Sequence, residues 1–381
     1  MKGKLLLFLI SVIIFFFAAC GTATQNTEPP TPPFDSAYTT ATPIIVQNQN
    51  KPTEESSTFT IHYLDVGQGD AALILCDGKS MLVDGGGAYA SDIIYTCLKK
   101  QGITHLDCIV CSHADEDHVG GLSGALSAVS ASAVYAPETE ADTKAYQNFK
   151  KKVQEQGLEI QHPKHGSSFT LGSSTVEVLG PISENTSERN NTSIVLKVRY
   201  GETSFLFTGD AEFDEEHDIL EQGYDLSADV LKVSHHGSAG ATSYRFLREV
   251  LPDYAVISVD KDNAYGHPTE EVLSKLRDAD VQVYRTDLQG DIIATSDGKN
   301  VTITPSKNAD MDTLTIEKPA VSMPQTGENQ SSTERYIGNQ NSKKFHLPTC
   351  HTLPAEHNRV YFSTRDEAIQ EGYTPCQNCS P

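Results

Sequence analysis

Positive charge is what this chain has least of: 29 Lys and Arg stand against 51 Asp and Glu, a formal net charge of −22. That balance excludes a protein that grips nucleic acid by neutralising phosphates over a wide surface. It leaves open an enzyme whose bound metal ions make a cleft locally positive. Long apolar runs are also missing: the best candidate, residues 5–17, is too short for a comfortable membrane span. Cysteine is sparse, eight in all. Cys76, Cys97, Cys108 and Cys111 lie inside apolar segments, which favours buried free thiols over bridges. Cys108 and Cys111 are three apart on one expected strand, so they should face opposite sides of it.

Lys2 and Lys4 precede the short apolar run, and Ala18-Ala19-Cys20-Gly21 follows it. This resembles a bacterial lipoprotein signal over residues 1–20, which implies lipidation of Cys20 and a membrane partner through that anchor. An ordinary secretory signal and an uncleaved anchor are the alternatives. All three place the remaining chain at the extracellular face of the cell membrane or beyond it. Residues 21–58 are rich in Thr, Pro, Asn and Ser and read as a flexible tether. A second tether is expected over 306–334. Its Met323-Pro324-Gln325-Thr326-Gly327 looks like a degenerate wall-sorting signal, but no apolar segment and basic tail follow. The tethers leave a body at 59–305, long enough for one large core or two fused halves, and a tail at 335–381.

The body carries the chemistry. Ser112-His113-Ala114-Asp115-Glu116-Asp117-His118-Val119-Gly120-Gly121 follows the apolar run Cys108-Ile109-Val110-Cys111. A strand ending in such a turn can aim His113, Asp115, Asp117 and His118 at one place. Carboxylates that close repel one another. A divalent cation, taking imidazole nitrogen and carboxylate oxygen at about 2 Å, is the simplest remedy. Other polar residues follow the same grammar. Asp84 ends a strand and is followed by Gly85-Gly86-Gly87; Asp210 follows the strand at 203–208; Ser234-His235-His236-Gly237-Ser238 follows the strand at 228–233. Gly266-His267-Pro268 follows the strand at 254–259. A mixed sheet covered by helices would collect all of them along one edge.

Asp84, the His113–His118 cluster, Gly209-Asp210 and His235 resemble, in order and context, the metallo-β-lactamase superfamily. More narrowly, Asp65-Val66-Gly67-Gln68-Gly69-Asp70-Ala71, Ser112–His118, Asn190-Asn191-Thr192-Ser193 and Leu231-Lys232-Val233-Ser234-His235-His236-Gly237-Ser238 resemble the extracellular hydrolase domain of ComEC-type competence proteins, over about residues 59–305. The resemblance implies an α/β fold of αββα sandwich type. It implies two divalent ions, Zn²⁺ or Mn²⁺, with a nucleophilic hydroxide between them. One ion would fall to His113, Asp115 and Asp210, the other to Asp117, His118, Asp210 and His235, with Asp210 shared. A single ion is the alternative. Asp84, and with it Asp65 and Asp70, would be acceptors behind the ligands. Two departures stand out: Asp115 replaces a usual histidine, and Asn190-Asn191 lies near the place of a missing one.

His235 and His236 cannot both be in-line ligands from one strand end. Comparison with the superfamily favours His235 as ligand and leaves His236 to face the substrate. His267 is the candidate to give a proton or a hydrogen bond to a phosphoryl oxygen, or else it stabilises its own loop. The catalytic set is therefore Asp117, His236 and His267.

The tail is too small to build a stable core without a staple. His346-x3-Cys350 with Cys376-x2-Cys379 supplies a closed tetrahedral Zn²⁺ site and resembles the zinc-binding domain of the Ada DNA-repair protein. A disulfide clasp is the alternative. Arg335, Lys343, Lys344, Arg359 and Arg365 against Glu356, Asp366, Glu367 and Glu371 make the tail nearly neutral, which permits DNA contact without demanding it. The expected activity is metal-dependent hydrolysis of a phosphodiester, with DNA as one candidate substrate. Choline-phosphate or wall-polymer esters are a second reading. A non-catalytic nucleic-acid or surface-binding protein with structural metals is a third.

Overall fold

Alternation of apolar and polar residues along Phe59–Tyr63 places Phe59, Ile61 and Tyr63 on one face of a strand. That strand pairs antiparallel with Ala72–Cys76 and, from the far end of the chain, with Ile292–Ser296. The sheet continues through Lys79–Val83 to the parallel strand Cys108–Val110 and two further strands, and past Ile292–Ser296 to Val301–Pro305, eight among the described residues. A second sheet of seven strands among the described residues contains Val195–Tyr200, Thr203–Phe207, Val230–Lys232, Tyr254–Ile257 and Gln282–Arg285, the last four in parallel register. The computed structural model describes residues 59–184, 187–315, 336–348, 350, 352–355, 358–376 and 379. Cys20, the tether at 21–58 and the wall-sorting look-alike at 323–327 lie outside the described residues. No helix among those described is long and apolar enough to cross a membrane.

The sheets face each other across a core in which Phe59 stacks on Tyr200 and Phe205 at centroid separations of 5.0 and 4.9 Å, and Tyr63 on Phe207 at 5.7 Å. The outer face of the first sheet is covered by helices Ser91–Lys100, Leu122–Ala128 and Lys144–Glu155, through Ile94, Leu98, Leu122, Tyr146 and Phe149. Helices Phe213–Gln222, Tyr244–Val250 and Glu270–Asp278 cover the second through Ile219, Phe246, Leu247, Val272 and Leu276. The result is an αββα sandwich, a mixed α/β fold of metallo-β-lactamase type. Cys108 packs between the sheets and Cys111 beneath the helices, on opposite sides of their strand; these two, with Cys76 and Cys97, are free thiols.

Residues 306–315, read from composition as tether, are packed onto the body instead. Thr313 is buried, its hydroxyl donating to the Val283 carbonyl at 2.7 Å while its own carbonyl receives Arg285 Nη1. A short polar stretch without apolar periodicity gives no warning of such docking.

Glu215 is buried in helix Phe213–Gln222, its Oε1 accepting the Ile182 N–H at 2.8 Å. Burial, with Asp218 nearby, pushes its carboxyl up to about 8. The folded state therefore keeps a proton that the unfolded chain releases above its ordinary carboxylate pKa. Stability is full below that value and falls as pH rises toward 8, on the order of 1 kcal/mol per pH unit. Thermal unfolding from pH 5 to 8 should show this decline, and Glu215→Gln should flatten it. An unchanged slope in the variant would assign the decline elsewhere.

The tail forms a separate four-stranded sheet of Arg359–Phe362, Tyr336–Asn339, Lys344–His346 and Thr374–Pro375. Its core is Phe345, Phe362, Ala368 and Tyr373. It rests on helix Glu270–Asp278 and the turn after it: Lys344 pairs with Asp280, Asn339 donates to Asp278, and Arg277 Nη1 donates to the Leu353 carbonyl at 3.0 Å.

Candidate metal centre

Two strand ends, one from each sheet, meet at the same edge. Strand Cys108–Val110 runs into Ser112, whose carbonyl receives the Ile194 N–H of the second sheet at 2.8 Å. Helix Glu116–Val119 starts at once, so His113 and His118 turn their rings toward each other with centroids 4.2 Å apart. Asp210 arrives from strand Thr203–Phe207 and lies at the centre. Its Oδ1 is 3.2 Å from His118 Nε2; its Oδ2 is 3.5 Å from His236 Nε2, 3.8 Å from His235 Nε2 and 3.9 Å from His113 Nε2. Asp117 Oδ2 lies 3.3 Å from His236 Nε2.

The supports sit directly behind. Asp84 accepts the Ser112 N–H at 2.7 Å and meets His118 Nδ1 at 3.0 Å. Ser112 Oγ lies within 3.1 Å of His113 Nδ1, and Ser193 Oγ accepts the Asp210 N–H. His236 Nδ1 lies 2.9 Å from the Ser258 carbonyl and 3.3 Å from Asp70, which meets the buried ammonium of Lys232 at 2.8 Å. The turn carrying Asp70 presses on Asp117 itself: Gly69, at φ +128, comes so close that a Cβ there would lie 2.1 Å from the Asp117 carbonyl oxygen. Only glycine fits that approach.

His113 Nε2, His118 Nε2, His236 Nε2 and Asp210 Oδ1 are buried and lack a hydrogen bond of sound geometry. Buried polar atoms are nearly always satisfied, so four such atoms converging on one space fit bound cations. Protonation tells the same story. Burial opposes the charge of His118 and His236, yet Asp210 with Asp84 lifts the first well above its ordinary value, and Asp210 with Asp117 and Asp70 lifts the second to about 10. Burial also works against the Asp117 and Asp210 charges, but the surrounding imidazoles hold both carboxyls below the carboxylate range. The carboxylates demand positive charge at their centre, which metal ions supply.

Two expectations change. His236, not His235, points into the cluster; it is 1% exposed and cannot face a substrate. The backbone explains the exchange. His235 and His236 both take left-handed conformations, φ 47° and 54°, which reverses the side-chain direction that an extended strand end would give. His235 lies on the open side, its Nδ1 3.0 Å from Glu212 Oε1. Asp65 is not behind the ligands either: past the end of strand Phe59–Tyr63, its N–H donates to Asp291 and its carboxylate faces Lys307 at 3.8 Å.

Asp115 sits at the rim, 3.9 Å from His113 Nε2 and held by Arg189 Nε at 2.6 Å. Asn190 and Asn191 do not take an imidazole's place; they hold Glu212, by Nδ2 to its carboxylate and Oδ1 to its N–H. His267 lies beside His235 with ring centroids 5.5 Å apart. Asn263 holds the loop through the backbone of His267, which leaves the imidazole Nδ1 unpartnered. Burial and the neighbouring His235 and His236 push that imidazole down to about 4. Lys232, Ser112, Ser193, Arg189 and Glu212 were not anticipated from sequence. A lysine inside the apolar strand Leu231-Lys232-Val233 was the signal available for the first of them.

In the tail, His346, Cys350, Cys376 and Cys379 bring their donor atoms within 4.8 Å of one another. The three cysteines are thiols rather than parts of a disulfide, and Cys379 Sγ receives the Leu347 N–H. Burial, then the adjacent Lys344, pushes His346 down to about 4, so the imidazole is neutral, as a ligand must be. The donor set fits a structural zinc.

Residues 64–260 match the family described as the Metallo-beta-lactamase superfamily, and residues 324–381 the metal binding domain of Ada. ComE operon protein 3 of Bacillus subtilis strain 168 is 30% identical over 255 residues, covering 62% of this chain and 33% of that protein. Competence protein ComA of Neisseria gonorrhoeae is 32% identical over 228 residues, covering 59% and 30%. This chain thus spans about a third of the length of these relatives. Among solved structures, the metallo-beta-lactamase fold protein YhfI from Bacillus subtilis aligns with a TM-score of 0.44 at 14% identity, over 62% of this chain and all of that one. The chain belongs to the metallo-beta-lactamase superfamily, as a hydrolase-fold relative of competence proteins with an Ada-like metal-binding tail.

Proposed function

We propose that this chain is a metal-dependent phosphodiesterase acting on DNA at the extracellular face of the membrane, anchored by lipid at Cys20. The supporting observation is the ring of buried, unpaired imidazole nitrogens around Asp210. His113, Asp115 and Asp210 would hold one divalent ion, Zn²⁺ or Mn²⁺, and Asp117, His118, His236 and Asp210 the other. Such ions generate a nucleophile from water at neutral pH and neutralise charge on the phosphoryl group. The chain itself orients the ligands: Asp84 fixes the His118 ring, and the Ser258 carbonyl, with Asp70 and Lys232 behind it, fixes the His236 ring. His267 stands beside His235 at the edge of the cluster, where its imidazole can approach a phosphoryl or leaving-group oxygen. The apolar run at 5–17 and the Ala-Ala-Cys-Gly that follows support the anchor and the location.

The test uses the chain from residue 58 onward, loaded with Mn²⁺ or Zn²⁺. DNA and bis-p-nitrophenyl phosphate should be hydrolysed, and chelation should stop both. Turnover of p-nitrophenylphosphorylcholine alone would move the assignment to a choline phosphoesterase. Absence of metal-dependent turnover on every diester would refute the hydrolase reading.

A further inference from the structure

The rim of the centre carries two tyrosines that are held in place yet left uncovered. Tyr265 is 70% exposed, and Tyr89 is 65% exposed. The Tyr265 ring lies nearly parallel to that of His267, with centroids 5.7 Å apart and planes 24° from each other. Its backbone is fixed by Asn263 Oδ1, which accepts the N–H of both Tyr265 and His267. Tyr89 is fixed at its other end: its hydroxyl donates to the Gln68 carbonyl at 2.6 Å, and its ring edge lies against Gly87. The two loops are joined, since Gln68 Oε1 accepts the Asp260 N–H. Both rings border the metal cluster, Tyr265 through His267 and His235, Tyr89 through the turn that packs on Asp117.

We infer that Tyr265, assisted by Tyr89, is a stacking platform that selects phosphodiesters bearing a nucleobase next to the scissile phosphate. Three physical points lead there. An exposed aromatic ring whose torsions are already fixed loses little entropy when a flat group covers it. Every base offers a π-face to such a ring, whereas alkyl and choline esters do not. Finally, a chain of net charge −22 has few cations to hold a nucleic acid by its phosphates, and the rim cation Arg189 is engaged by Asp115. Binding must then lean on stacking and depend weakly on salt.

This inference rests on the phosphodiesterase reading, and the experiment separates the two. Full-length chain in detergent with Mn²⁺ is assayed on thymidine 5′-(p-nitrophenyl phosphate) and on methyl p-nitrophenyl phosphate. Both release the same leaving group and differ in the retained arm. Tyr265→Ala should raise KM for the thymidine diester about tenfold, the order contributed by stacking one base on one ring, and change kcat little. KM for the methyl diester should stay within twofold, and Tyr265→Phe should behave as the parent. Tyr89→Ala should give a smaller shift of the same kind. An equal loss on both substrates, or no change in either variant, overturns the platform. If the parent hydrolyses neither diester, the phosphodiesterase reading fails. The platform is then judged by oligothymidylate binding to the metal-loaded chain, where an unchanged Kd in Tyr265→Ala refutes it.

Discussion

Asp210→Asn should lower metal-dependent turnover on the order of 10³-fold, the scale of removing one central charge-stabilising group from an enclosed site. The substitution keeps the side chain's size and its N–H bond to Ser193, so the fold is retained. What it removes is the carboxylate that approaches four imidazoles, one oxygen toward His118 and the other toward His113, His235 and His236. No other carboxylate in the cluster has that position. Asp117 meets His236 from one side, and Asp115 meets His113 from the rim while held by Arg189. Metal analysis should show at least one ion lost per chain, with the tail site of His346, Cys350, Cys376 and Cys379 still filled. Turnover within tenfold of the parent, with metal content unchanged, would mean that Asp210 is not shared between the ions.

The parts of this centre that could be read from sequence sit where backbone geometry is simple. Asp84, His113, His118 and Asp210 each end or follow a strand, and the strands at one sheet edge converge by construction. The exchange of His235 and His236 was illegible for the opposite reason. Spacing arguments assume that side chains alternate along an extended chain, and two successive left-handed residues break that assumption. Asp65 misled because a motif reads as a unit, whereas its first carboxylate turns to Asp291 and Lys307 and its last, Asp70, turns to His236. Strands such as Val134–Tyr135 and Ile160–Gln161 are too short to show alternation at all, so the far edge of the first sheet had no pattern to find. Lys232 is a different case: its strand was visible, but a cation in an apolar run has no assigned partner until the fold brings Asp70 beside it.

That pairing sets the largest stability effect expected outside the ligands. Lys232 and Asp70 are 3% and 5% exposed, and their 2.8 Å contact is supplemented by a bond from the ammonium to the Val233 carbonyl. Burial alone would raise the Asp70 carboxyl; Lys232 and His236 reverse that and hold it below its ordinary value. Lys232→Met leaves a buried carboxylate facing only an imidazole, which should cost about 3–5 kcal/mol. In a domain of this size that is a Tm lower by about 10 °C. The same change frees Asp70, one of the two groups at His236 Nδ1 beside the Ser258 carbonyl, so metal affinity at the centre should fall about tenfold. The two effects come apart in Lys232→Met with Asp70→Asn. Neutralising both partners removes the stranded charge and should restore most of the Tm, because an amide tolerates burial better than a lone carboxylate and His236 Nδ1 keeps its 2.9 Å contact with the Ser258 carbonyl. Metal affinity should stay low, since no carboxylate then backs the ring, which keeps only the Ser258 carbonyl. Equal recovery of both would show that the pair acts only on folding. A Tm within a degree of the parent in Lys232→Met would show that the ammonium contributes nothing that water cannot replace.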